Sequence, residues 1–377
     1  MPKAKKLLFV VAEDWYFCSH RLSLALAAKL QGYEVSVATR VHEHASSIED
    51  AGIKLIPLSK MRRSSTNVLK EMSSIIELIK IYRDERPDIV HQVALKPVLY
   101  GSIAARITGV PRVVSALGGL GFVFSSKKLF ARVLRPVVTN VFRFFLDRPN
   151  SRLIVQNEDD LNTLNTARIC SPARMRLIRG AGVDLDLYDT NQVNSDVPIV
   201  MLASRMLWDK GIGEFVEAAR MLKAKKLAAR FVLVGDTDKE NPTAISPAQM
   251  KEWNDSNVIE WWGYRKDMPA ILKQAEIVCL PSYYEGLPKV LLEAMASARP
   301  IITTDTCGCR DLVRDEENGL LVPLRDAKAL AHAIEALLVD RIVARKMGIA
   351  GRAIVEKEFG MKKIADETLN VYRELGC

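Results

Sequence analysis

Two glutamates, Glu285 and Glu293, stand eight positions apart within PSYYEGLPKVLLEAMASARP at 281–300. The apolar run IVCL at 277–280 reads as a strand, and Pro288 suits the first turn of a helix starting near Leu287. Eight residues of helix make slightly over two turns, so both carboxylates can face one crevice beyond the strand. Between them lie the backbone amides of Gly286, Leu287, Lys289 and Val290, and a helix N-terminus attracts phosphate. A carboxylate at the start of such a helix can reach a sugar hydroxyl, and one two turns on can accept from a ribose. A nucleotide diphospho-sugar has about that length. An N-terminal acid followed by a solvent-facing Glu would give the same pattern, so the pair alone does not decide.

A second group of residues bears on the choice. ASRMLWDKG at 203–211 follows another strand, IVMLA at 199–203, and leads into a helix, which places Arg205 and Lys210 in one strand-to-helix loop. Two cations there can neutralise a diphosphate and stabilise charge as it leaves. Solvated loop cations are the other reading of the same two residues.

These loops need strands and helices to hold them. At 377 residues the chain exceeds one ordinary core and calls for two domains of similar size. With 49% apolar and 26% charged residues it reads as globular rather than disordered. Strands are expected near 7–12, 34–39, 53–58, 89–91, 112–116 and 153–156, with helices near 19–30, 68–83 and 98–108. Runs such as LLFVVA are apolar on both faces, which indicates a parallel sheet covered on each side. The polar stretch 184–198 reads as a linker, and a second alternating series follows it. The expected fold class is α/β, two doubly wound domains at 1–190 and 191–360, with 361–377 a final helix that could cross back to the first. Ligands should lie beyond the C-terminal ends of the strands.

With the glutamate pair, the Arg205/Lys210 pair and the downstream GCRD at 308–311 and NGLLVP at 318–323, the chain resembles the retaining glycosyltransferases of family four. The similarity covers essentially the whole chain and is strongest over about 199–325. It implies the GT-B architecture, in which two Rossmann-like domains face each other across a deep cleft. It also implies that Arg205 and Lys210 hold the donor diphosphate, that Glu293 takes the ribose, and that Glu285 contacts the transferred sugar as the catalytic candidate. The amides after Gly286, with Lys289 and Val290, would hold phosphate or sugar oxygens, and Tyr264 would flank the base. The family works without a metal or other cofactor, the UDP-sugar being a co-substrate. Glu285 could act as a nucleophile, or could position the sugar while the acceptor attacks on the leaving-group face.

The chain departs from that pattern in its first half. The histidine that many members carry after a mid-domain strand is absent, and Leu117-Gly118-Gly119-Leu120 stands there instead. Gly118 and Gly119 could let backbone amides approach a ligand, or could form a simple turn. The glycine-rich turn after the first strand is replaced by Glu13-Asp14-Trp15-Tyr16-Phe17. His20, His91 and Lys96 are further acceptor or cleft candidates, each with a structural alternative. Aspartate pairs of the metal-binding type occur at Asp184/Asp186 and Asp236/Asp238, and both read as solvated.

Charge narrows the partners. Residues 1–190 carry 28 Lys and Arg against 18 Asp and Glu, and the rest carries 26 against 27, so the whole net charge of +9 belongs to the first half. An anionic partner should meet that half. SSKKLFARVLRPVVTNVFRFFLDR at 125–148 sets Lys127, Lys128, Arg132, Arg135 and Arg143 among large apolar residues, as a helix in a membrane interface would. A buried helix with a basic edge fits too, and Pro136 should kink or divide it. Related bacterial transferases act on undecaprenyl-diphosphate-linked sugars in lipopolysaccharide, O-antigen or other surface polysaccharide synthesis. The expected partners are therefore a nucleotide-sugar donor, a polyprenyl-diphosphate-linked sugar acceptor and an anionic membrane surface.

No basic motif with interleaved aromatics marks a nucleic-acid partner. The six cysteines include no zinc or redox spacing and read as small thiols in a reducing compartment. No stretch reaches the roughly 18 apolar residues of a membrane span, and no signal sequence opens the chain. The expected location is cytoplasmic, peripheral on the inner face of the plasma membrane. Two other functions share these features: a UDP-N-acetylglucosamine 2-epimerase of the same fold, and a non-catalytic membrane- or glycan-binding protein.

Overall fold

A computed structural model describes residues 4–61, 68–120, 129–191, 197–238 and 240–376. The chain divides into two compact units, Met1–Ala181 with Lys362–Cys377, and Gly182–Met361. The first break thus falls nine residues before the 190/191 boundary read from sequence.

In the first unit the strands are β1 (Lys6–Glu13), β2 (Glu34–Arg40), β3 (Lys54–Pro57), β4 (Ile89–Val93), β5 (Arg112–Ala116), β6 (Ser151–Val155) and β7 (Met175–Leu177). They form one sheet in the order β3-β2-β1-β4-β5-β6-β7, every pairing parallel. Helices α1 (Asp14–His20), α2 (Leu22–Leu30), α3 (Ala45–Asp50), α4 (Val68–Glu85), α5 (Leu95–Thr108), α6 (Leu129–Leu146) and α7 (Glu158–Thr166) connect them. Strand β1 shows why the sheet needs cover on both sides. Leu7, Phe9 and Val11 enter one apolar cluster, while Leu8 and Val10 enter another. A strand alternates its side chains, so five consecutive apolar residues require two buried faces.

The second unit repeats the plan with β8 (Ile199–Ala203), β9 (Arg230–Val234), β10 (Glu260–Trp261), β11 (Ile277–Leu280), β12 (Ile301–Thr304) and β13 (Gly319–Val322). Their order is β10-β9-β8-β11-β12-β13, again all parallel. Val200 and Leu202 pack on one side, and Ile199, Met201 and Ala203 on the other. Its helices are α8 (Ile212–Ala224), α9 (Pro247–Asp255), α10 (Met268–Leu272), α11 (Lys289–Ala296), α12 (Ala327–Val339) and α13 (Arg341–Glu358). The last helix, α14 (Met361–Glu374), lies almost wholly in the stretch that belongs to the first unit. Ile364, Leu369 and Tyr372 sit in the cluster that covers Phe9. Glu374 takes Arg152 at 3.1 Å and Arg176 at 2.7 Å.

Three local expectations change. EDWYF does not form an open loop, because Asp14 starts helix α1, and the helix expected from residue 19 is α1 and α2 meeting at Arg21. Asp14 is fully buried and accepts the backbone N–H of His42 at 2.6 Å and of His44 at 3.1 Å, which pins the loop after β2. Pro136 does not divide α6, which continues through it as one element. Strand β7 is short and half polar, MRL, and carries too little apolar pattern to be found from sequence.

His91 lies inside this core rather than at a strand end. It is 1% exposed, stacks on Phe9 at 5.1 Å and meets the Tyr372 hydroxyl with Nδ1 at 2.5 Å. Burial holds the imidazole well below its usual 6.5, and the charge of Arg21 adds to the effect. Below about pH 6.5 the unfolded chain therefore binds a proton that the native protein refuses, and stability falls by ~1.4 kcal/mol per pH unit from this group. Above that pH the contribution is flat. Urea unfolding at about pH 7.5 and about pH 5.5 should show a steeper loss in wild type than in His91→Gln. Equal losses would mean that His91 takes up its proton without unfolding.

Candidate functional site

In the second sheet β8 lies between β9 and β11, so the chain's direction of winding reverses there. Open parallel sheets bind ligands at such a point, beyond the strand C-termini. The two loops that meet there are 204–211 after β8 and 281–288 after β11, and backbone contacts lock them together. The Tyr283 N–H donates to the carbonyl of Asp209 at 2.8 Å, and the Ser282 hydroxyl donates to the same oxygen at 3.1 Å. Gly211 has φ +71°, and a Cβ there would fall 2.1 Å from the Pro281 carbonyl oxygen. Only glycine allows that approach.

This seam delivers Lys210 onto Glu285. The ammonium hydrogen-bonds the carboxylate, and the two side chains are 17% and 12% exposed. On its other side Glu285 is backed by the loop after β12. Gly308, at φ +75°, brings its Cα against the carbonyls of Glu285 and Gly286. The Thr306 hydroxyl donates to the carbonyl of Tyr283 at 3.1 Å. Cys309 is buried close enough to feel both charges. Burial first, then the Glu285 carboxylate, pushes its thiol up to about 12, so it stays neutral.

Arg205 is held differently. Its guanidinium donates to Asp238 at 2.7 Å, and the Asp238 side chain is only 13% exposed. Asp238 is thus the anchor of Arg205 and not a solvated loop acid. The loop around it is tied down as well, since Met206 N–H donates to the Asp236 carbonyl at 3.0 Å. Sequence reading named Asp238 but took it as solvated, because its one pointer to Arg205 was its place after a strand, in the neighbouring loop.

Helix α11 starts at Lys289, with Pro288 as its N-cap rather than inside its first turn. The first-turn amides of Lys289 and Val290 have no acceptor within the helix, and Gly286 and Leu287 form the turn before it. Glu293 lies on this helix, 8% exposed, with Lys289 at 3.3 Å. Tyr188, from the segment that opens the second unit, lies close enough to Glu293 to feel its charge. Burial and that carboxylate together raise the phenol far above its usual value. Tyr264 is 61% exposed, just after Gly263, whose carbonyl accepts from Gly235 N–H at 2.8 Å.

The first-half candidates separate into two groups. Tyr16 brings two of them together: its ring stacks on His20 at 4.2 Å, and its hydroxyl would lie 3.4 Å from a Cβ at Gly118. Gly119 follows with φ +133°, a conformation that favours glycine. His91 is in the core, closed to a ligand, and Lys96, its side chain 26% exposed, is paired with Glu71 of α4 at 2.9 Å. Of the expected membrane-facing residues, Lys127 and Lys128 lie outside the described residues. Arg132 and Arg135 are on α6, their side chains not described. Arg143 caps α7, donating to the carbonyls of Arg168 at 2.8 Å and Ala167 at 3.0 Å. Among the described residues, no helix is long and apolar enough to cross a membrane.

Residues 6–157 match the family described as glycosyl transferase 4-like, and residues 197–340 match glycosyl transferases group 1. The chain belongs to the family-four glycosyltransferases. A relative of this glycosyltransferase in Campylobacter jejuni is the N,N'-diacetylbacillosaminyl-diphospho-undecaprenol alpha-1,3-N-acetylgalactosaminyltransferase, 28% identical over 85% of this chain and 86% of that protein. Another, in Escherichia coli, is the UDP-Gal:alpha-D-GlcNAc-diphosphoundecaprenol alpha-1,3-galactosyltransferase, 27% identical over 82% and 81%.

Among solved structures, Anabaena HepE in complex with UDP superposes with a TM-score of 0.76 at 17% identity, over 98% of this chain and 99% of that one. A sucrose-phosphate synthase from Thermosynechococcus elongatus gives 0.78 at 22%, also over 98% and 99%. The glycosyltransferase therefore has the GT-B fold. The family match favours sugar transfer over epimerisation or a non-catalytic binding role.

Gly211→Ala tests the seam. The added Cβ meets backbone, which cannot yield as a flexible side chain would, and a non-glycine residue in this region costs about 1–3 kcal/mol. A thermal melt should show a midpoint lowered by several degrees, with binding of UDP weakened; an unchanged midpoint would mean that the two loops tolerate separation.

Proposed function

We propose that this glycosyltransferase moves a hexose or N-acetylhexosamine from a UDP-sugar to a saccharide on polyprenyl diphosphate, with retention and without a metal. The observation that carries the donor half is the Lys210–Glu285 pair at the sheet's winding reversal, between Arg205 and the N-terminus of α11. Arg205 and Lys210 take the diphosphate, and each comes to it from a carboxylate partner. The α11 amides and the turn at Gly286 and Leu287 add donors, with the helix dipole behind them. Two guanidinium and ammonium charges with a helix N-terminus stabilise the leaving diphosphate as its charge grows. That is the task a divalent cation performs in metal-dependent transferases.

Glu285 positions the transferred sugar. In this reading the acceptor attacks on the leaving-group face, with no covalent intermediate on Glu285. Glu293, aimed by Lys289 and Tyr188, takes the ribose hydroxyls, and Tyr264 offers its exposed ring to the base. In the first unit, Tyr16, His20, Gly118 and Gly119 are the residues assigned to the acceptor side. The acceptor class is supported by the two relatives, both of which act on undecaprenyl-diphosphate-linked sugars by name. The basic first half suits such an anionic substrate and supports a peripheral location on the inner face of the plasma membrane.

UDP release should be measured over a panel of UDP-sugars, with and without a polyprenyl-diphosphate-linked acceptor. Release that depends on the acceptor and vanishes in Lys210→Ala and Glu285→Ala is the expected result; release without acceptor would sink the transferase assignment of substrates. Tyr188→Phe keeps the ring and removes the hydroxyl beside the Glu293 carboxylate, an interaction of up to about 1.5 kcal/mol or roughly tenfold. Its KM for the donor should rise by up to about that factor while kcat changes little. A fall in kcat at constant KM would instead place Glu293 in the chemical step.

A further inference from the structure

Away from the loops that hold Glu285, the second unit has a cavity of about 410 Å³ at the opposite end of its sheet. Its walls include Glu276, which precedes β11, and Ala298, Arg299 and Pro300, which precede β12. These are the N-terminal ends of strands whose C-terminal ends carry the donor loops. On the other side stand Arg345 and Ile349 of α13.

The floor is a charge without a full complement of partners. Arg299 is 2% exposed, and its Nη2 donates to the backbone carbonyls of Thr190 at 3.2 Å and Asn191 at 3.1 Å. Its Nε is buried without an acceptor. No carboxylate forms an ion pair with it among the described residues. The Glu276 carboxylate in the cavity wall and, less strongly, Asp189 reach it with their charge, and Asp189 is committed to Lys273 at 2.5 Å. A buried guanidinium in that condition is costly unless an anion completes it. Arg345, on the rim, is exposed and has no hydrogen bond or ion pair among the described residues. Arg299 and Arg345 therefore both line one cavity.

We propose that this cavity binds the phosphate ester of a small polyol, at a site separate from that of the donor. A phosphate offers oxygens to both guanidinium groups, the geometry in which arginine outdoes lysine. Glu276 and the backbone oxygens of the cavity are acceptors, so they suit hydroxyl groups and not a second anionic group. Pro300 and Ile349 receive the carbon skeleton. Ile349 and, two turns earlier on the same helix, Ile342 are 59% and 71% exposed. The polyol phosphate can thus be a free metabolite or the headgroup of a glycerophospholipid, which carries the same chemistry.

Glycerol 3-phosphate is the probe, titrated by calorimetry into the full-length protein saturated with UDP, so that the donor site is filled. Arg345→Ala is the informative variant, because an exposed side chain can be removed without unfolding the unit. Binding that weakens about tenfold or more in Arg345→Ala, and is unchanged in Lys210→Ala, is the expected result. Arg299→Lys should weaken it as well, since an ammonium cannot form the fork. Sedimentation with phosphatidylcholine vesicles, with and without phosphatidylglycerol, then assigns the source: capture that needs both phosphatidylglycerol and Arg345 identifies a lipid headgroup, and its absence beside glycerol 3-phosphate binding identifies a soluble ligand. No binding of glycerol 3-phosphate, equal binding in Arg345→Ala, or loss in Lys210→Ala would each overturn the proposal. The last would place the phosphate in the donor loops. Because UDP binding is read independently, failure here leaves the transferase assignment intact.

Discussion

The proposed donor site in the second unit rests on the contact between Gly211 and the carbonyl of Pro281. Backbone presses on backbone there, and the loops after β8 and β11 become one surface. The hydrogen bonds from Tyr283 and Ser282 to Asp209 hold the register of that surface. Lys210 meets Glu285 because the two residues flank the seam. Gly308 repeats the device one strand further on, where its Cα lies against the Glu285 and Gly286 carbonyls. The site is thus a stack of three loops from β8, β11 and β12, with glycine wherever two main chains come too close for a side chain.

Electrostatics then sets how those loops hold their cations. Both expected diphosphate-binding cations already have a carboxylate, Lys210 with Glu285 and Arg205 with Asp238. Such pairing fixes long side chains that would otherwise lose rotamer freedom on binding. It also lowers the cost of holding half-buried charges with no ligand present. Arg205 is 41% exposed, so its pair is the weaker constraint and the easier to exchange. The thiol of Cys309, kept neutral by burial and by the charge of Glu285, adds no competing nucleophile.

In the first unit, several residues with chemical potential are spent on holding the fold. His91 joins β4 to the C-terminal helix through Tyr372, Lys96 joins α5 to α4 through Glu71, and Arg143 closes the end of α7. Each is a polar group on an element that packs against another, and each finds a partner across that packing. What remains around Tyr16 is small and backbone-rich: the His20 ring and the glycines at 118 and 119.

The sequence by itself determined the α/β class and the parallel sheets, because runs such as LLFVVA and IVMLA are apolar on both faces and can only be buried from two sides. It also marked Glu285, Glu293, Arg205 and Lys210 as the residues to examine, since their spacing follows from one helix and one loop, both local in the chain. The tertiary structure alone decided their partners. Asp238 lies 33 positions from Arg205 and Glu285 lies 75 from Lys210, and no local pattern encodes which strand ends will meet. For the same reason His91 looked like a site residue, although a tyrosine 281 positions away buries it. Local periodicity reports which face is apolar; which partner covers a polar group depends on the order of strands, and that order is set only when the whole sheet forms.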